Sequence, residues 1–174
     1  ESFILYKPKD IVAGDFYWLE QTKGKILFAA ADCTGHGVPG ALLTMLGNSF
    51  LNEINAIETL LNPAEILNRL REKIILELNQ TGEEGESFDG MDISLIQLDL
   101  STNNLQWAGA NNSLYVIKEE NLEEIKPDKQ PIGYNYKMTE FTNHKLSLSI
   151  GDYLCIFTDG FADQFGGPKG KKYK

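Results

Sequence analysis

The second half of the chain most limits what it can fold into. Between residues 92 and 158 lie six short segments rich in apolar, β-branched and aromatic residues, at 92–100, 104–110, 113–119, 122–126, 137–142 and 153–158. Turn-forming residues separate them, among them Ser101-Thr102-Asn103-Asn104 and Asn111-Asn112, whose short polar side chains hydrogen-bond their own backbone. Such short connections join antiparallel neighbours, because a parallel crossover needs about a dozen residues or more.

The first half reads differently. Residues 26–31 (Ile-Leu-Phe-Ala-Ala-Ala) are a continuous apolar run that ends at Asp32 and a glycine-rich turn, the pattern of a buried strand feeding a loop. Helical spacing follows in Val38, Ala41, Leu42, Met45, Leu46, Ser49 and Phe50, continuing to Ile54, and predicts a helix over about 38–56 with these residues on its packed face. A second helix starts at Asn62-Pro63-Ala64-Glu65, with Asn62 as cap and Pro63 in the first position, and Ile66, Leu67, Leu70, Ile74 and Leu78 form its apolar face. Residues 81–90 carry acid and glycine without periodicity and read as a mobile loop. Two grouped helices beside many hairpin-linked strands predict an α+β layered fold, and 174 residues suit one domain.

The net charge of −9 argues against a nucleic-acid-binding surface, since no basic stripe is present to neutralise phosphates. Cys33 and Cys155 both sit in apolar runs, so no disulfide framework is expected and the reducing cytoplasm is the easier fit. No apolar stretch approaches the ~20 residues a membrane span needs, and no signal peptide is visible. The start at Glu1 without Met suits a piece cut from a longer polypeptide.

Four aspartates stand where strands are expected to meet turns: Asp15, Asp32, Asp92 and Asp159. Adjacent glycines let a ligand approach the backbone, and hard carboxylate oxygens suit Mg²⁺ or Mn²⁺. The same residues also suit turns and helix caps, and spacing alone does not choose between these readings. His36 is open among a general acid, a metal ligand and a loop filler. Cys33 with His36 as nucleophile and base is disfavoured, because no third residue is visible to orient the pair. Gly35 and Gly37 lack the Gly-Lys-Ser/Thr ending of a phosphate loop.

One string does more. Ala31-Asp32-Cys33-Thr34-Gly35-His36-Gly37-Val38-Pro39-Gly40-Ala41 resembles the core motif of bacterial type-2C (PPM) metal-dependent serine/threonine protein phosphatases, in the branch similar to stage II sporulation protein E. Collinear segments agree: Gly14-Asp15-Phe16-Tyr17-Trp18, Asp89-Gly90-Met91-Asp92-Ile93-Ser94, Gly109-Ala110-Asn111-Asn112, Pro131-Ile132-Gly133 and Thr158-Asp159-Gly160.

The resemblance implies an α/β/β/α sandwich, two antiparallel sheets flanked by helices. It implies two Mn²⁺ or Mg²⁺ ions, with a third in some relatives. Asp32 would bridge the pair, Asp15 and the Cys33 carbonyl would bind one ion, and Asp159 the other. Asp163, with Asp92 or Asp89, would match the third. The implied reaction is hydrolysis of phosphoserine or phosphothreonine by a hydroxide bridging the metals. His36 is a candidate proton donor to the leaving oxygen. Implied partners are a phosphorylated regulator, such as an anti-sigma-factor antagonist, and an upstream sensor domain in the parent chain; a homodimer is compatible with the resemblance. Family domains continue into a further helix and a last strand carrying another aspartate, so residues 1–174 are expected to be one catalytic domain lacking that end. A truncated fold acting as a non-catalytic regulatory module is the alternative.

Overall fold

The computed structural model describes the chain except residues 9, 58–60, 84, 87, 120, 161, 162, 164, 167, 169, 173 and 174. One antiparallel sheet has five strands in the order β1-β2-β3-β4-β7: β1 Asp15–Thr22, β2 Lys25–Cys33, β3 Met91–Asp99, β4 Asn104–Ala110 and β7 His144–Ser147. A second has three in the order β6-β5-β8: β5 Leu114–Lys118, β6 Asn121–Ile125 and β8 Tyr153–Cys155. A small pair, β9 Phe165–Gly166 and β10 Lys171–Lys172, lies near the end of the chain. The helices are α1 Gly37–Ile57 and α2 Pro63–Glu77, and both pack on the five-stranded sheet.

The period of two along each strand builds the layers. Leu27, Ala29, Ala31 and Cys33 of β2 and Ile93 and Leu95 of β3 join the core shared with the helices. The other face, with Ile96 of β3 and Leu105 and Trp107 of β4, packs on Leu114 and Val116 of the second sheet. β3 is thus covered on both sides, and Ile93, Ser94, Leu95, Ile96 and Gln97 are all buried although the strand carries polar residues among the apolar ones. Helix α2 begins as expected: Asn62 Oδ1 accepts from Glu65 N at 3.1 Å, and Glu65 Oε2 accepts from Asn62 N at 2.7 Å, a complete capping box.

Three expectations change. The packed face of α1 is only partly the one read from spacing: Ile54 is buried and Leu46 and Phe50 pack against the core, but the face is rotated toward the glycines. Gly40, Leu43, Gly47, Leu51 and Ile54 are buried, whereas Val38, Leu42 and Met45 are 67%, 62% and 69% exposed. The helix has apolar residues on two sides, and its glycines chose between them. A Cβ at Gly47 would lie 2.6 Å from Met91 Cε, and one at Gly40 would lie 2.6 Å from Gly35 O, so only the glycine face can approach the sheet this closely.

The segment 137–142 is not a strand; the chain pairs with β4 only from His144. Side chains have taken its backbone groups. Gln130 accepts from Thr139 N and donates to Thr139 O, Asn68 accepts from Phe141 N, and Asp128 accepts from Thr142 N. Of the expected strand 153–158, only Tyr153–Cys155 pairs. Conversely, β1 is absent from the pattern read above. It buries Phe16 and Trp18 but exposes Tyr17 and Leu19, so apolar residues on both faces hide its alternation.

The face assignment predicts a contrast. Leu70→Ala, at a fully buried position, should cost about 2–5 kcal/mol, while Leu42→Ala should change stability by less than about 0.5 kcal/mol. Denaturant midpoints of the two variants check this; equal losses would return Leu42 to the core.

Candidate metal centre

The site is built by strand register. Antiparallel pairing sets Asp15 opposite Asp32 and Asp32 opposite Asp92. Directly opposed residues share a face, with Cβ atoms about 4.5–5.5 Å apart. Their strand neighbours Phe16, Ala31, Cys33 and Ile93 enter the helix-side core, so the three carboxyls form a row on the opposite face, at the end of β1, β2 and β3. Like charges set opposite one another destabilise a sheet unless something compensates.

A fourth carboxyl reaches the row from the chain after β8. Asp159 acts on both Asp32 and Asp92, and Asp32 shares side-chain hydrogen bonds with Asp15 and Asp159. Asp159 lies beyond the short β8 rather than at a strand end, and its neighbour anchors it: Thr158 Oγ1 donates to Asp15 Oδ2 at 2.6 Å. Asn111 Nδ2 donates to Asp92 Oδ1 at 2.8 Å. Burial, then Asp15, then Asp159 push the Asp32 carboxyl up to about 8. Burial also raises Asp92, against the opposing effect of Asn111.

The glycine-rich segment closes one side. Gly35 and Gly37 take φ of 87° and 62°, in the left-handed region where glycine carries little strain. The turn brings Gly35 O against Gly14 and Gly40, where Cβ atoms would lie 2.8 Å and 2.6 Å from it. Thr44 Oγ1 on α1 donates to Gly14 O at 2.7 Å, and Cys33 N donates to the same carbonyl at 3.3 Å. Thr34 N donates to Gly90 O at 2.8 Å, and Gly90 N donates to Thr34 Oγ1 at 3.1 Å. These bonds join β1, β2, α1 and the entry to β3 around the row. A cleft of about 400 Å³ opens there, lined by Asp32, Thr34, His36, Asp92 and Pro131 among others.

Of the residues singled out from sequence, Asp15, Asp32, Asp92 and Asp159 come together. His36 is exposed on the cleft wall. The Cys33 thiol is buried, pushed up to about 12 mainly by burial, and hydrogen-bonded by Thr44, so it is no nucleophile at neutral pH. Asp163 N donates to Asp159 O at 2.8 Å, one turn beyond the row. Asp89 sits before β3, its carbonyl held by Gln80 Nε2 at 2.5 Å. Sequence reasoning passed over Asn111 and Thr158 as hydrogen-bonding partners of the row, although both lie in segments it had marked.

Among the described residues, no three acidic, His or Cys side chains already close on one point as a finished ligand cage. The row instead sets Asp15 and Asp159 close enough to Asp32 to raise its proton affinity, after burial. Its donors are all hard oxygens, it concentrates negative charge in partial burial, and it opens to a cleft. That chemistry fits a hard divalent cation such as Mg²⁺ or Mn²⁺.

Comparison with known proteins places this geometry. A model of the stage II sporulation protein E (SpoIIE) family matches residues 22–173. The SiaA-PP2C domain of Pseudomonas aeruginosa is 34% identical with a TM-score of 0.85, over 98% of this chain and 65% of that one. The chain therefore spans less than two thirds of that relative's length. The PP2C phosphatase domain of SpoIIE from Bacillus subtilis, solved with a fragment of its regulatory domain, is 17% identical with a TM-score of 0.73, over 90% of this chain and 44% of that one. The RsbU and RsbW domains of a Mycobacterium tuberculosis protein give 19% identity and a TM-score of 0.72, over 92% and 42%. No curated protein matches the chain. The family match begins after Asp15, and the strand pairing is what brings Asp15 into the row. The match across most of the chain and the shared sandwich lead to one conclusion: the chain belongs to the SpoIIE family of PP2C-type phosphatase domains.

Proposed function

We propose that this chain is the catalytic portion of a divalent-cation-dependent phosphatase that removes phosphate from serine or threonine of a regulatory protein. The observation that carries this reading is the aligned row Asp15–Asp32–Asp92, joined by Asp159. Asp15, Asp32 and Asp159 would hold Mn²⁺ or Mg²⁺, with the Cys33 carbonyl as a further oxygen and Asp92 and Asp163 for a third ion. Bound cations would supply an acidified water and neutralise charge on the phosphoryl group. A related protein, RsbX, has been solved in complex with magnesium.

The protein's own groups prepare the site. The hydrogen bonds from Thr158 and Asn111 fix the outer carboxyls of the row, so ligands are oriented before a cation arrives. His36, on the cleft wall, would be the proton donor to the departing serine or threonine oxygen. Among the described residues, no helix is long and apolar enough to cross a membrane. We assign the domain to a cytoplasmic signalling protein whose sensor lies elsewhere in the parent chain. Its substrate is a small phosphorylated regulator of the anti-sigma-factor-antagonist kind.

Hydrolysis of p-nitrophenyl phosphate with and without Mn²⁺ tests the reading. Turnover that needs Mn²⁺ and stops on chelation supports it; none at any Mn²⁺ concentration rejects it in favour of a non-catalytic module. The role of His36 has its own signature. His36→Ala should lower kcat on a phosphoserine peptide by about 10²-fold, but affect p-nitrophenyl phosphate far less, because p-nitrophenolate leaves without a proton. Equal losses on both substrates would remove His36 from the proton-transfer role.

A further inference from the structure

Three aromatic rings meet on two segments that adjoin cleft residues in the chain, and they have no part in the chemistry above. Phe88 stacks on Tyr134 with ring centroids 5.4 Å apart, and Tyr136 meets both edge-on at 5.5 and 5.9 Å. The cluster is held from behind. A Cβ at Gly82 would fall 2.2 Å from the Tyr134 ring, so the 81–90 segment presses directly on it. That segment has internal support: Glu86 accepts from Thr81 N, Thr81 Oγ1 and Gly82 N at 2.8–2.9 Å. Gln80 Oε1 accepts from Tyr134 N at 2.9 Å while its amide donates to Asp89 O, which ties both ring-bearing segments to the end of α2.

The outer surface remains open to solvent. Tyr136 is 73% exposed, Phe88 39% and the nearby Met138 43%. Rigid aromatic surface of this kind, part apolar and part polar, is what dominates binding hot spots. Both segments join the cleft wall through the chain. Phe88 leads through Asp89 and Gly90 into Asp92, and Gly90 is bonded to Thr34 of the cleft. Tyr134 follows Pro131, which lines the cleft, and Ile132, which exchanges hydrogen bonds with Met91 at 2.8 and 3.0 Å.

We infer that Phe88, Tyr134 and Tyr136 form a rim that binds an apolar side chain flanking the phosphoresidue of a peptide substrate; this rests on the phosphatase reading. A peptide that places its phosphate in the cleft must lie over the cleft edge. At this edge aromatic faces favour an apolar neighbour, and the adjacent Glu83 and Glu86 disfavour an acidic one. The rings thus select substrate sequence without touching the reacting phosphate.

The test uses the full chain with Mn²⁺ and two phosphoserine peptides that differ only in having leucine or glycine on either side of the phosphoserine. Wild type should show a KM about tenfold lower for the leucine peptide, equal to about 1.4 kcal/mol. Tyr136→Ala and Phe88→Ala should erase that preference and leave p-nitrophenyl phosphate kinetics unchanged. Fluorescence anisotropy with the unphosphorylated forms of both peptides gives a second readout that needs no turnover. No leucine preference in wild type, or a preference that survives both substitutions, overturns the proposal. If no substrate is hydrolysed, the phosphatase reading falls, and the anisotropy comparison still decides whether the rim binds apolar side chains.

Discussion

Asp32→Asn should abolish Mn²⁺-dependent hydrolysis of p-nitrophenyl phosphate, with a loss on the order of 10³-fold or more, the upper scale seen when one charge-stabilising group is removed from an active site. The expectation follows from position. Asp32 is the central member of the row, opposite Asp15 on one side and Asp92 on the other, and it also meets Asp159. An amide there keeps the shape but removes the charge that both neighbouring cation positions would share. Asp92→Asn should be milder, because Asp92 lies on the far side of the row from Asp15. Isothermal titration with Mn²⁺ separates the causes: Asp32→Asn should weaken binding in step with activity. Full activity in that variant would sink the assignment of the row as the metal centre.

The same substitution should have the opposite effect on stability without metal. The Asp32 carboxyl is raised from its ordinary value of 3.8 to about 8, through burial, Asp15 and Asp159 in that order. The folded state therefore holds the proton more tightly than the unfolded chain. Below about pH 4 both states are protonated and the site costs nothing. Between about pH 4 and 8 the unfolded chain gives up this proton while the folded state keeps it, so stability falls across that window and levels off once the folded carboxyl ionises. In EDTA, the wild type should lose stability relative to Asp32→Asn between about pH 4 and 8. At the upper end the variant should be more stable by about 1–3 kcal/mol, allowing for partial exposure. That corresponds to a Tm gain of roughly 2–12 °C for a chain of this size. Mn²⁺ should reverse the order, because it binds the ionised row of the wild type. Thermal unfolding of both proteins at pH 5 and pH 8, with EDTA and with Mn²⁺, measures the whole scheme. A variant less stable than wild type in EDTA at pH 8 would show that the row is not strained by its own charge.

Much of this was legible in local residues. The Asn62–Glu65 capping box, the β3 and β4 segments and the glycine-rich string after β2 each carry their own signal, because caps, alternation and left-handed turns are set by neighbours in the chain. The aspartates could be listed as candidates for the same reason. What sequence could not supply was their alignment. Asp15 and Asp92 are separated by the hairpin and both helices, and only the β1–β2 and β2–β3 registers set them on either side of Asp32. A slip of one residue in either register would send one carboxyl to the opposite face.

The side of α1 that packs was likewise decided in three dimensions. Spacing marked Val38, Leu42 and Met45, but Gly40 and Gly47 let the glycine face come within contact of Gly14, Phe16 and Met91. The loop before β7 followed the same logic, since Gln130, Asn68 and Asp128 satisfy backbone groups that would otherwise have joined a ladder. By itself the sequence determined the two helices, the central strands and which residues have metal-binding chemistry. The tertiary structure decided which faces meet and which carboxyls converge, because long-range packing and strand register depend on residues far apart in the chain.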